Sequence, residues 1–308
     1  MIREQIMQAN SNKSPFFKTA RWRGIFTDSL FALPAVLIFA TFFAYPVASS
    51  FYISLTKWNG LNPELTFVGF DNYIKLWGDR HFWTAFQNTF KYAIFVTVIQ
   101  NVIGLTLALA ASNKIFRGFR VLFLIPPLLS SIALGTIWKY MYAPRGIINT
   151  FLINVGLEAY TQSWLGDPDL ALYSLIAANV WKWSGMAMII YLAGLQAIPA
   201  TIQEAASIDG VSPWQRFRHI TFPLIAPAFT INVVLSMIGS LKVFDIIFIM
   251  TQGGPGRATE SLTTYIFGRA FEANKFGYGT AVAISMFVVI LTLSLIQLRF
   301  LTRREVRG

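Results

Sequence analysis

The sequence predicts an all-α integral membrane protein with six transmembrane helices and a cytoplasmic helix-turn-helix loop between spans four and five. Three observations carry that fold class. Of the 308 residues, 55% are hydrophobic and only 13% are charged, against roughly 25% charged in soluble domains. Charge-free apolar runs recur at about the 20 residues that a bilayer core of roughly 30 Å requires. The basic residues gather in alternate connections, as they do when topology is fixed by charge.

Five runs are free of charge: residues 30–50, 92–112, 121–138, 222–241 and 277–298. A sixth, 170–193, is interrupted once by Lys182. The first run is long for a signal-peptide core and has no convincing cleavage site, so it is expected to remain as a helix. The connection at 51–91 contains Trp58-Asn59-Gly60 and Gly69-Phe70-Asp71-Asn72-Tyr73, which read as turns and short amphipathic pieces. Its Trp and Tyr residues are most simply interfacial anchors.

Sidedness follows from counting Lys and Arg. Arg3, Lys13, Lys18, Arg21 and Arg23 lie before the first span, three more lie in the 113–120 connection, and four follow Leu298. With Arg216 and Arg218, these segments hold fourteen of the 25 basic residues. The other connections carry much of the acid, including Glu64, Asp71, Asp79, Glu158, Asp167, Asp169, Glu260 and Glu272. The first set is therefore expected in the cytoplasm, with both termini inside. The expected organisation is a tail at 1–28, one six-span domain at 29–300 and a tail at 301–308.

Residues 199–223 break the apolar text. Thr201-Ile202-Gln203-Glu204 has the form of a capping box. Gly210 suits the left-handed position that ends a helix. Ser212-Pro213-Trp214-Gln215 is a second capping signal, with Pro213 at a first helical position. Pro223 allows a bend as the chain re-enters the bilayer. Two short helices at an angle are expected, presenting small side chains at Ala205, Ala206 and Ser207. On the residues alone, a capped connector explains this stretch as well as a docking protrusion does.

The same stretch resembles the "EAA" coupling motif of bacterial ABC importer permeases. Glu204-Ala205-Ala206 is followed by Gly210, Ile220 and Pro223 at that motif's spacing, with Phe222 in place of the usual Leu. Ala193-Gly194-Leu195-Gln196-Ala197-Ile198-Pro199, Phe244-Asp245-Ile246-Ile247, Thr251-Gln252-Gly253-Gly254-Pro255 and the Leu33-Pro34-Ala35 and Tyr45-Pro46 pairs look like the maltose and glycerol-phosphate type of carbohydrate permease. Within that type the chain is similar to the first of two paired membrane subunits, over roughly residues 28–305.

The resemblance implies a bacterial inner-membrane, multi-pass, non-catalytic subunit of an ATP-driven sugar importer. It implies a second homologous permease, two cytoplasmic ATP-binding subunits that use ATP and Mg, an extracytoplasmic binding protein and a sugar or oligosaccharide, with no cofactor held by this chain. Glu204, Ala205, Ala206, Ser207, Asp209, Gly210 and Pro223 would dock the ATPase. Thr251, Gly253, Gly254 and Pro255 would face the binding protein. Arg216 and Arg218 would pair with ATPase carboxylates or serve only as topology charges. The large outer domain of some relatives has no room in a first outer loop of about forty residues.

Polar groups inside spans are costly unless they face a cavity or a partner. Asn232, Ser236 and Ser240 recur every four residues and share one helical face, as do Asn179 and Trp183. Hydroxyl partners beside an aromatic face suit a carbohydrate path, and the same residues also suit bonds across helix interfaces. Lys182 has two possible placements. It faces the path, where an anionic solute would meet it, or Trp181-Lys182-Trp183 is an interfacial anchor with a snorkelling lysine, which is the simpler of the two.

Other functions fare worse. Without Cys and with only His81 and His219, there is no metal cluster or thiol nucleophile. No phosphate-binding loop or nucleophile elbow occurs. The +11 charge lacks the basic and aromatic interleaving of a nucleic-acid surface, and lipid is the expected surroundings. An ion-coupled secondary transporter would need carboxylates within the spans, and the five clean runs have none. A permease for another polar solute, such as a glycerol phosphodiester, stays open.

Overall fold

Prolines and caps, more than apolar length, decide where the helices begin and end. The computed structural model describes residues 32–112, 118 and 120–303. The tail at 1–28, the connection residues Lys114 and Arg117, and the tail beyond 303 lie outside the described residues. The chain divides into two compact units, residues 1–52 and 53–308.

Helix α1 (Ala32–Ser54) is long and apolar enough to cross a membrane. It carries a π turn at Ala40–Ala44. That turn precedes Pro46, whose missing N–H cannot serve the ladder.

In the second unit, strands β1 (Thr56–Lys57) and β2 (Thr66–Phe67) pair antiparallel, with Thr56 opposite Phe67. The Asn59 side-chain oxygen accepts from the backbone of Leu61 and Asn62, closing the turn between them. Helix α2 (Asp71–Gly78) is tied down by buried Asn72, which donates to the carbonyls of Ser54 and Thr56. Trp58 serves a tertiary purpose here rather than only that of an interfacial anchor. Its ring meets Phe276 edge-on at 5.1 Å, and its carbonyl accepts from Gly277 N–H.

Helix α3 (Arg80–Ser112) begins twelve residues before the apolar run at 92–112. At 1.5 Å per residue it measures about 50 Å, longer than a bilayer core. Hydropathy cannot register that extension, because the first three turns carry Arg80, His81 and Lys91.

The run at 121–138 is not one straight span. It forms α4 (Arg120–Leu128) and α5 (Ser131–Met141), which meet at 103°. Neither piece approaches the roughly 30 Å of a bilayer core. Pro126 and Pro127 remove two ladder donors, and Ser130 caps the new helix by accepting from Ala133 N–H.

Helix α6 (Ile147–Asn154) follows. Buried Asn149 there donates to the carbonyls of Pro144 and Gln162 and accepts from Trp164 Nε1. Helix α7 (Pro168–Gln196) is capped by Asp167, with Pro168 in its first turn.

Two short helices come next, α8 (Ala200–Ile208) and α9 (Pro213–Leu224). The run at 222–241 is then divided between α9 and α10 (Ala226–Leu241), which are bent by 70° at Ile225. Helices α11 (Asp245–Met250), α12 (Leu262–Phe267) and α13 (Phe276–Thr302) complete the unit.

Four helices, α1, α3, α7 and α13, could each cross a membrane; counting each bent pair as one span brings the total to six. Helices α3 and α7 lie along each other, and α10 packs against both. Helix α4 rests on α7, α5 on α11, and α13 on α10 and α12.

Candidate functional site

The polar residues singled out within the spans converge. Asn179 and Trp183 of α7 and Asn232, Ser236 and Ser240 of α10 line one cavity of about 280 Å³, joined by Gln100 of α3. Each helix turns its four-residue repeat inward, and the three meet because α3, α7 and α10 are mutually packed.

Part of this polarity is spent on holding the helices together. Tyr191 donates to Asn101 Oδ1 at 2.6 Å, and Asn101 Nδ2 donates to Ser236 Oγ at 2.9 Å. Ser236 in turn donates to the Asn232 carbonyl, and Asn232 Nδ2 donates to the Ala187 carbonyl. A cavity wall and a helix-fastening network therefore coincide. Sequence reasoning missed Gln100, Asn101 and Tyr191. Gln100 and Asn101 are polar and sit in a run otherwise judged only for hydropathy, which was the available signal.

Lys182 is not a snorkelling anchor. It is 6% exposed, its Nζ donates to Ser131 Oγ at the start of α5 at 3.0 Å, and it sits 5.2 Å from the Trp183 ring centre. It lines a second cavity of about 190 Å³ that shares Asn179 and Trp183 with the first and is also bordered by Lys242 and Asp245. The break between α4 and α5 creates this position, since it brings Ser131 to α7. Hydropathy alone does not reveal that break.

The 199–223 segment forms the expected pair of helices with one change at its start. Thr201 does not cap α8: the helix begins after Pro199 without a side-chain cap, and Thr201 lies inside it. Pro199 ends the preceding helix and presets the entry angle. Gly210 adopts φ +68°, which other residues rarely take. Ser212 and Gln215 form the full capping box. A π turn at Phe217–Thr221 precedes Pro223, as another precedes Pro46. Glu204, Ala205, Ser207 and Asp209 are exposed, whereas Ala206 is buried, so the small side chains presented are Ala205 and Ser207. Ile208, 85% exposed, and Trp214, 69% exposed, flank Gly210; sequence reasoning had not marked them.

The 251–260 loop is folded against α3. Asn88 Nδ2 donates to the carbonyls of Arg257 and Glu260. Thr259 donates to the Gly254 carbonyl, and its hydroxyl meets that of Thr251. Gly253 is buried, Thr251, Gly254 and Pro255 are half-buried, and Gln252, Gly256 and Arg257 are exposed. Only the half-buried and exposed positions offer contact surface.

At the start of α3, Asp79 accepts from the hydroxyls of Tyr265 and Tyr278 and from His81 N–H, and lies 3.6 Å from Arg269. Burial pushes its carboxyl up. The Tyr265 bond outweighs that together with the His81, Tyr278 and Arg269 interactions, and the net position is below the ordinary carboxylate range. A depressed carboxyl stabilises the fold above its unfolded value and loses that contribution as pH falls through the folded value. The thermal stability of the solubilised protein is expected to fall on acidification below the ordinary carboxylate range. Asp79→Asn should lower stability at neutral pH and flatten that acid dependence. An unchanged acid limb in the variant would assign the loss to other groups.

Residues 100–307 match the family described as binding-protein-dependent transport system inner membrane component. A probable starch degradation products transport system permease protein of Thermoanaerobacterium thermosulfurigenes is 35% identical, over 96% of this chain and 99% of that protein. A trehalose/maltose transport system permease protein of Thermococcus litoralis is also 35% identical, over 88% and 92%. Among solved structures, a chain of a bacterial ABC transporter involved in import of the acidic polysaccharide alginate superposes with a TM-score of 0.79 at 23% identity, over 92% of this chain and 99% of that one. That likeness extends to the fold.

Proposed function

Because this chain belongs to the family of binding-protein-dependent transport system inner membrane components, we propose that it is the membrane-spanning permease subunit of an ATP-driven importer of a sugar or oligosaccharide. It spans nearly the full length of relatives named as permeases for starch degradation products and for trehalose/maltose. Membership also displaces the ion-coupled alternative. The observation that carries the mechanism is the pair α8 and α9 around Gly210, set between α7 and α10. Counting the six apolar runs of the sequence puts this hairpin on the same side as both termini, and the excess of Lys and Arg in those segments supports a cytoplasmic placement.

In this reading two ATP-binding subunits close beneath the membrane, and the hairpin receives that motion. Glu204, Ala205, Ser207, Asp209 and Gly210 supply a small, polar contact surface. Ile208 and Trp214 are large apolar side chains that remain exposed beside it, as expected where a partner covers them. Pro223 and the break at Ile225 join the hairpin to α10, whose Asn232, Ser236 and Ser240 face the cavity. Rotation of α10 against α7 would then open the cavity to one side and close it to the other. A binding protein delivers solute at the opposite end, near Thr251, Gly254 and Pro255, and a homologous permease closes the other half of the path. ATP and Mg belong to the partner subunits.

The test compares the assembled complex in proteoliposomes with and without Gly210→Pro, reading ATP hydrolysis and labelled sugar uptake. Proline cannot adopt the φ of +68° found there, so the corner between α8 and α9 has to change. The expected result is loss of substrate-stimulated hydrolysis and of uptake while the membrane subunits remain assembled. Full uptake in the absence of any ATPase activity would overturn the importer reading.

A further inference from the structure

We propose that Lys182 is a specificity-determining residue that makes the cavity prefer sugars carrying an anionic substituent, a proposal that rests on reading the cavity as the solute path. Lys182 lies midway along α7 (Pro168–Gln196), where a charged side chain is costly unless it meets a partner or a cavity. An ammonium group has three N–H donors. Among the described residues, its one hydrogen-bond partner is Ser131 Oγ. A buried ammonium with donors to spare is stabilised by an acceptor entering beside it.

The surrounding charges define what kind of acceptor that is. Lys242 and Asp245 border the same cavity. Among the described residues the ion pairs are Arg257–Glu260 and Arg269–Asp79, so Asp245 is not within ion-pair distance of Lys182. Lys242 and Asp245 are exposed at the cavity's edge, whereas Lys182 is buried, so the charge held at low dielectric, where an anion gains most, is the Lys182 ammonium. The larger cavity alongside has no carboxylate in its wall. Asn179 and Trp183 belong to both cavities. A sugar ring in the larger cavity, against Trp183, would therefore project a carboxylate or other oxyanion toward Lys182. A wholly neutral sugar offers that ammonium only uncharged acceptors.

The test uses the assembled transporter in nanodiscs without its binding protein, so that only the membrane path selects. The probes are a glucuronate-containing disaccharide and the same disaccharide with its carboxyl group reduced to the alcohol. Binding is followed by titration calorimetry and by the fluorescence of Trp183, identified by difference from Trp183→Phe. The wild type is expected to bind the uronate at least about tenfold more tightly than the alcohol, as a charge-assisted hydrogen bond allows. Lys182→Met should erase that preference without weakening the neutral probe, and Lys182→Arg should keep it even if the Met variant fails to assemble. Equal binding of the two probes by wild type, equal weakening of both by Lys182→Met, or binding of neither would overturn the proposal. The importer reading is judged separately, by ATP-driven uptake in the Gly210→Pro comparison.

Discussion

Gly185→Ala is expected to destabilise the bundle by about 3 kcal/mol, a large effect for adding one carbon. A Cβ at Gly185 would lie 1.7 Å from the carbonyl oxygen of Phe123 and 2.7 Å from its carbon. The obstacle is backbone, so no side-chain rotation relieves it. Either α4 lifts from α7 or both helices distort, and lifting α4 carries with it the junction where Ser131 meets Lys182. Thermal unfolding of the purified protein and its yield from the membrane would both fall. Gly239→Ala is the control: nothing lies within 4 Å of a Cβ there, and alanine favours a helix by up to about 1 kcal/mol over glycine. Comparable stability of Gly185→Ala and wild type would mean that α4 docks elsewhere.

Asn101→Leu is the second substitution with a large expected cost, roughly 1–2 kcal/mol. It keeps the size of the side chain but removes the acceptor for Tyr191 and the donor for Ser236. Ser236 still donates to the Asn232 carbonyl, whereas the buried Tyr191 hydroxyl loses its Asn101 acceptor and is left unpaired. The orphan hydroxyl, rather than the lost bond alone, dominates the cost. Tyr191→Phe in the Asn101→Leu background should therefore recover part of the loss, and a double-mutant cycle on unfolding free energies measures the coupling. Additive effects of the two substitutions would show that the Tyr191–Asn101 bond contributes nothing to stability.

These two sites differ in how far the sequence announces them. Asn101 is a polar residue in an apolar run and could have been marked by the rule that led to Asn232 and Ser236. Gly185 is one small residue in a long helix, and nothing local distinguishes it from Gly194 or Gly239. Its role comes from α4, which is distant in sequence.

Local sequence patterns specify the membrane class, the apolar segments, the hairpin between α7 and α10 and, of the residues lining the cavity, Asn179, Trp183, Asn232, Ser236 and Ser240 but not Gln100. Hydropathy, helical periodicity and cap chemistry act over a few turns, and each can be read from neighbouring residues. Gly210 and Ser212 took up the backbone roles their types predict. The placement of Asn179, Ser236 and Ser240 in one cavity followed from their four-residue spacing once the helices were packed.

Long-range packing sets where straight spans are broken and what Lys182 faces. The paired prolines at 126–127 permit a break, but the 103° angle is set by α4 lying on α7 and α5 on α11. Likewise, a lone lysine in an apolar run is equally compatible with the interface and with the interior. It is buried because the broken span returns Ser131 to its amine, through contacts between segments about fifty residues apart that no local pattern encodes.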